Sequence, residues 1–225
     1  MNRRPIFLMS CLCFGFAFFY VPILSMIFFS FNKSRLATVW GGFSLQWYGK
    51  LFQNSQIIDA AVLSLEIALL SATLATILGT MAGITLARFR RFRGRALFSG
   101  LVTAPLIMPE VITGISMLML FIMMAEWIGW PGSRGFTTIT IAHITFSMTY
   151  VTTIVQSRLS SMDIAVEEAA LDLGSRPWQV LLDVTLPIIS PAIVSGWLLA
   201  FTISLDDVVI TNFPPGPGAT TLPIL

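Results

Sequence analysis

Four carboxylates stand within or beside long apolar runs: Glu66, Glu110, Asp206 and Asp207. A charge at the centre of a membrane helix costs about 2.5–3.5 kcal/mol on insertion scales, so such groups usually face a bundle interior or a wet cavity. There a carboxylate can attract a cation through weakly screened Coulomb forces, and aromatic faces can help hold it. The alternative for each is structural: an interhelical hydrogen bond, or a salt bridge to a partner subunit. Glu66 sits near the end of its run, where reaching the interface is cheap, and fits the structural alternative. Glu110, Asp206 and Asp207 stay as candidates for a cation path. At about 100° per residue, Ser195, Leu199, Thr202 and Asp206 share a helix face. Trp197 and Phe201 lie on another face, suited to lipid or helix packing. Asp207 is one step round, so one face cannot present both aspartates equally. Thr145, Thr149, Thr152 and Gln156 form a second polar stripe, and Thr103, Glu110, Met117 and Phe121 align in a third run.

Other chemistry is poorly supplied. The sequence has no H-E-x-x-H, no G-x-S-x-G and no G-x-x-x-x-G-K-[ST]. The glycine-rich stretch 216–221 lacks the lysine of a phosphate loop. His143 is the only histidine, and a lone histidine in an apolar helix is read as a packing residue. Cys11 and Cys13, two residues apart, point to different helix faces and suit neither a disulfide nor a metal. No cofactor or metal is implied.

The elements that must position these groups are membrane helices. Of 225 residues, 56% are hydrophobic and 11% charged, against about 25% charged in a soluble globule. A net charge of +2 on so apolar a chain argues against nucleic-acid binding. Apolar runs long enough to cross a bilayer occupy about 6–31, 61–87, 96–125, 135–157 and 188–213. Pro105 and Pro109 predict a kink or break in the third. Gly79 and Gly83 form a G-x-x-x-G that permits close helix packing in the second. The first run follows Arg3 and Arg4 and is too long for a signal-peptide core, so it is read as an uncleaved anchor.

Lysine and arginine set the orientation. Arg3, Arg4, Arg88, Arg90, Arg91, Arg93, Arg95, Arg158 and Arg176 fall on one side. Lys33, Arg35, Lys50 and Arg134 fall on the other. The larger group marks the cytoplasm and meets anionic lipid headgroups, which places the N-terminus inside. Trp40, Trp47, Tyr48, Trp127 and Trp130 on the outer loops suit the membrane interface.

The cytoplasmic segment 158–187 is too long for a simple turn. It reads as two short helices. Asp163 caps the first, Glu167 and Glu168 favour its dipole, and Gly174 ends it. Ser175 caps the second, with Pro177 in its first turn, and Pro187 marks entry to the fifth run. A helix pair there suits either docking to a partner or lying on lipid.

Glu168-Ala169-Ala170, Gly174 and then Val184-Thr185-Leu186-Pro187 resemble the EAA signature of ABC-importer permeases, with Val184 where isoleucine is usual. The stretches 103–114 and 204–210, together with 39–44, Trp47-Tyr48 and 216–223, are similar to the polyamine permeases, the putrescine branch in particular. This resemblance implies an all-α membrane fold, the MetI-like transmembrane domain of type I importers. Six spans are expected against the five visible, so the chain is expected to be C-terminally truncated. It implies a coupling helix that fits a cleft on an ATPase, with Glu168, Ala169, Ala170, Asp172, Gly174, Leu186 and Pro187 as coupling residues. It implies no nucleotide site in this chain. The partners would be a second permease subunit, a cytoplasmic ATPase dimer, a periplasmic polyamine-binding protein and membrane lipid. The location would be the bacterial inner membrane. Glu110, Asp206 and Asp207 would line the path of putrescine or a related polyamine. A permease for another small solute and an ATP-independent secondary transporter remain as rivals; an intramembrane enzyme is disfavoured by the missing motifs.

Overall fold

Proline and glycine decide where the apolar runs stop being helical. A computed structural model describes residues 3–36, 39–89, 91–212 and 221–224, without the side chains of 3–6. Arg90 of the arginine cluster, Phe213 at the end of the fifth run, and Pro214, Pro215 and the glycine-rich 216–220 lie outside the described residues. The helices are α1 (Arg3–Ser30), α2 (Gln46–Gln53), α3 (Ser55–Arg88), α4 (Arg95–Ile107), α5 (Glu110–Ile128), α6 (Phe136–Ser161), α7 (Ala165–Asp172), α8 (Pro177–Gln179), α9 (Leu186–Asp206) and α10 (Val209–Asn212). A π-helical turn, Val180–Thr185, joins α8 to α9. Among the described residues, five helices are long and apolar enough to cross a membrane. Chain contacts divide the molecule into two units, Met1–Ile58 and Asp59–Leu225.

In the first unit, α1 leaves its large apolar side chains exposed, as a helix surrounded by lipid or partner would. The free Cys11 and Cys13 are exposed on it. The loop that follows is knotted by Asn32, which is 2% exposed. Asn32 Nδ2 donates to the Val39 carbonyl at 2.7 Å, and Asn32 Oδ1 accepts from Gly41 N–H at 2.8 Å. Trp47 Nε1 donates to the Asn32 carbonyl at 2.9 Å, so this indole is part of the knot. Lys50 Nζ lies 4.7 Å from its ring centre.

The second unit is built around α6, whose Val151, Val155 and Leu159 are fully buried with Ala72, Ile189 and Ala200. Glycines set the spacing. A Cβ on Gly79 would lie 2.7 Å from Val151 Cβ and 2.9 Å from the Met148 carbonyl. One on Gly83 would lie 2.9 Å from Val155 Cγ1. From α9, a Cβ on Gly196 would lie 3.3 Å from Val151 Cγ1. The G-x-x-x-G of the second run thus lies against a β-branched ridge on α6.

The third run is broken. Met108 is extended (φ −79°, ψ 140°) and Pro109 precedes a new helix. Proline offers no N–H and disfavours helical geometry in the residue before it. This break corrects one expectation: Thr103 lies on α4, so it shares no helix face with Glu110, Met117 and Phe121 on α5. The fifth run breaks too. It is helical to Asp206, and Asp207 then takes extended geometry (φ −74°, ψ 114°).

Candidate functional site

Two sites emerge, at opposite ends of α9. The first is the segment 158–187. Asp163 Oδ1 accepts from Ala165 N–H at 3.0 Å and so satisfies the start of α7. Gly174 (φ +89°) ends the helix in the left-handed region. Its N–H donates to Leu171 at 2.9 Å, and Ser175 N–H donates to Ala170 at 3.1 Å. This pair of bonds is the Schellman arrangement, and glycine adopts the required φ without a Cβ penalty.

The second half departs from a separate short helix. The N-cap is Arg176, not Ser175: it is extended (φ −72°, ψ 151°), and its N–H donates to Gln179 Oε1 at 2.8 Å. From Pro177 the chain runs as one helical rod to Asp206. Pro187 sits in the first turn of α9, as expected, but the helical rod already runs on from Pro177. The reason lies in the wide turn before it. Pro187 cannot donate to the carbonyl four residues back, and its ring would clash there in a tight helix. In the π-turn, Leu186 N–H instead bonds the Leu181 carbonyl, five residues back, and the turn has room for proline.

Glu168, Ala169, Asp172 and Gly174 are exposed, Ala170 and Leu186 are half-buried, and Pro187 is exposed. Beside them, Leu173 is 89% exposed and Trp178 56% exposed. Apolar side chains so presented among acidic ones give this face an exposed amphipathic character. The reading from sequence passed over Leu173 and Trp178, although both are large apolar residues within two or four positions of Gly174.

It also gave Glu167 only a helix-dipole role beside Glu168. This carboxylate turns inward. Arg88 Nε and Nη2 donate to its Oε1 at 3.2 and 3.0 Å, and Nε lies 2.9 Å from Oε2 in the ion pair. Thr185 Oγ1 in the π-turn donates to Glu167 Oε1 at 2.7 Å. Arg88 Nη1 donates to the Leu159 carbonyl at 3.2 Å. The ends of α3 and α6, helix α7 and the root of α9 thus meet at one carboxylate. Beside this node lies a cavity of about 730 Å³ lined by Arg88, Arg95, Gln156, Ser160 and Asp163, among others.

The second site is the far end of α9. Asp206 is its last residue and is exposed. Asp207 Oδ1 accepts from Ile210 N–H at 2.8 Å and caps α10. Its Oδ2 is buried with no partner among the described residues. Glu110, the first residue of α5, is exposed, and α5 packs against α10, the short helix that Asp207 caps. Tyr150 on α6 packs in the same cluster as Ile210 of α10 and Met117 of α5. The break at Pro109 and the break at Asp207 thus bring the three carboxylates into one region, beside an aromatic ring. Helix α10 is held there by a 2.9 Å hydrogen bond between Thr211 Oγ1 and the buried His143 Nε2.

The two polar stripes differ. Ser195, Leu199, Thr202 and Asp206 are all exposed. Trp197 packs inward, with its Nε1 3.2 Å from Thr73 Oγ1. The α6 stripe faces its neighbours: Thr149 is fully buried and Thr149 Oγ1 donates to the Val102 carbonyl at 2.8 Å. Glu66 is exposed. Among the described residues no three His, Cys, Asp or Glu side chains group as a metal site needs.

Residues 79–225 match the model of the binding-protein-dependent transport system inner membrane component. The chain belongs to that family. These permeases are multi-pass proteins of the inner membrane, and the five apolar helices agree with that. The chain is 52% identical over its full length to the putrescine transport system permease protein PotI of Escherichia coli K12, covering 82% of that protein. It is 43% identical to the spermidine/putrescine transport system permease protein PotC of Haemophilus influenzae, over 93% of this chain and 79% of the relative. A crystal structure of a bacterial ABC transporter that imports the polysaccharide alginate matches 99% of the chain and 78% of its own, with TM-score 0.71 and 15% identity. That likeness shows the permease fold. As an ABC-importer permease subunit, the chain is a transport component.

Proposed function

We propose that this permease carries putrescine or a closely related polyamine inward, driven by ATP hydrolysed on a partner chain. The observation that carries the substrate is the 52% identity to a putrescine permease along the whole chain. A flexible dication with an apolar stem is matched by carboxylates beside an aromatic ring, and Glu110, Asp206, Asp207 and Tyr150 offer that set. The exposed stripe of α9 leads to Asp206 and would complete a path against a second permease subunit. A periplasmic polyamine-binding protein would deliver the substrate.

The exposed face of α7, with Glu168, Ala169 and Asp172, would seat in a cytoplasmic ATPase dimer, with the half-buried Ala170 behind it, Gly174 just past its end, and Leu186 and Pro187 at the root of the moving helix. The arginine distribution supports a cytoplasmic N-terminus and puts α7 on the same side. Uptake of labelled putrescine by cells with and without the gene tests the reading. Loss of uptake that unlabelled putrescine competes better than spermidine or basic amino acids is expected. Undiminished uptake in a strain without redundant systems refutes it.

A further inference from the structure

We propose that Glu167 is a positioning residue for energy coupling: its carboxylate, held by Arg88 and Thr185, makes α7 and the root of α9 move as one body with the ends of α3 and α6. The inference rests on the transport reading above and adds a residue and a mechanism to it.

The geometry is specific. Glu167 precedes the exposed Glu168, yet about 100° of helix rotation turns it from the docking face to the interior. Its side chain is 14% exposed and that of Arg88 is 19% exposed. Among the described residues this is the one ion pair. Arg88 is the last residue of α3, and Leu159, whose carbonyl it also holds, lies in the last turn of α6. Thr185, 3% exposed, closes the π-turn.

Without the node, α7 would connect to the body only through the chain on either side and the contacts of its partly buried side chains, Ala170 among them. The cavity of about 730 Å³ beside Arg88 and Ser160–Ile164 leaves that side of the segment unpacked. A push on α7 could then be absorbed by bending into that space. With the node, the push arrives at three membrane helices together. Arginine suits this role because its planar fork fixes direction as well as distance, which lysine cannot do.

The test uses the complete importer, reconstituted in vesicles, and reads putrescine imported per ATP hydrolysed. Glu167→Gln and Arg88→Gln are expected to lower that ratio by about fivefold or more while the complex still co-purifies, the range expected for a lost coupling interaction. Arg88→Lys falls between these and wild type. The exchange Arg88→Glu with Glu167→Arg restores much of the ratio. Thr185→Val gives a smaller decrease. A purely structural role would lower import and hydrolysis together and leave the ratio unchanged. An unchanged ratio in assembled variants therefore overturns the proposal, as does loss of assembly in Arg88→Lys and Thr185→Val. Wild-type complex without ATP-linked uptake would refute the transport reading and the coupling role with it.

Discussion

The two ends of α9 handle charge in opposite ways. At its root, Glu167 has both oxygens engaged by Arg88 and Thr185, and every partner lies in this chain. At its tip, Asp206 is exposed and Asp207 leaves one buried oxygen without a partner among the described residues. A satisfied buried group fixes a shape, whereas an unsatisfied one favours something still to bind. The root is therefore complete within this chain, whereas the tip is the end at which, under the proposed function, cargo or a second subunit would bind. The same helix carries rigidity at one end and receptivity at the other.

The largest way to break this contrast is to alter the face that the rigid end presents. Gly174→Asp is expected to reduce putrescine uptake to background while the protein remains in the membrane. No atom crowds the position, so the fold tolerates the side chain. The cost comes from the positive φ, about 1–2 kcal/mol for a residue with a Cβ, and from a new charge beside Leu173. Uptake assays with membrane immunoblots check it, and normal uptake would dismiss α7 as the docking element.

Next in size is the receptive end. Asp206→Asn is expected to slow uptake several-fold without loss of the assembled complex. Unchanged uptake kinetics would take Asp206 out of the path.

Asp207 separates two roles at one residue. Asp207→Ala removes the cap of α10 and is expected to lower stability by about 1 kcal/mol, read as a fall in melting temperature. Asp207→Asn keeps the capping oxygen and is expected to restore the melting temperature. If uptake stays slow in Asp207→Asn, the charge matters for cargo; if uptake recovers fully, Asp207 is only a cap.

The smallest change concerns the middle of the helix. Trp197→Phe removes the 3.2 Å contact to Thr73 while keeping most of the apolar volume. Stability should fall by about 0.5–1.5 kcal/mol, with import per ATP unchanged. A changed ratio would mean that the two ends communicate through this contact as well.

Much of this was legible in the sequence because the rules involved are local. Apolar length gives the long helices, Pro109 gives the break, and Gly174 gives the helix end. The tip was legible only in part. The identities of Glu110, Asp206 and Asp207 could be read, but a helical wheel assumes an unbroken helix, and both breaks change which groups meet. The α6 stripe was legible as a stripe but not in its role: its threonines bond back to their own helix or to a neighbour, so polarity there marks packing. Glu167 was hidden by its neighbour. Two consecutive glutamates look alike to a dipole argument, and only the position of Arg88, 79 residues away, tells them apart.

Val151 has a consequence of its own. It lies beneath Gly79 of α3 and Gly196 of α9, so one side chain sets the clearance on two sides of α6. Along α6 it is equidistant from Leu159, which joins the Arg88 node, and His143, which holds Thr211. Eight residues on each side make arms of about 12 Å. A tilt of about 10° about this fulcrum would carry each end about 2 Å in opposite directions, with equal mechanical advantage. A displacement at one face of the membrane would then reappear at the other undiminished and reversed in sign.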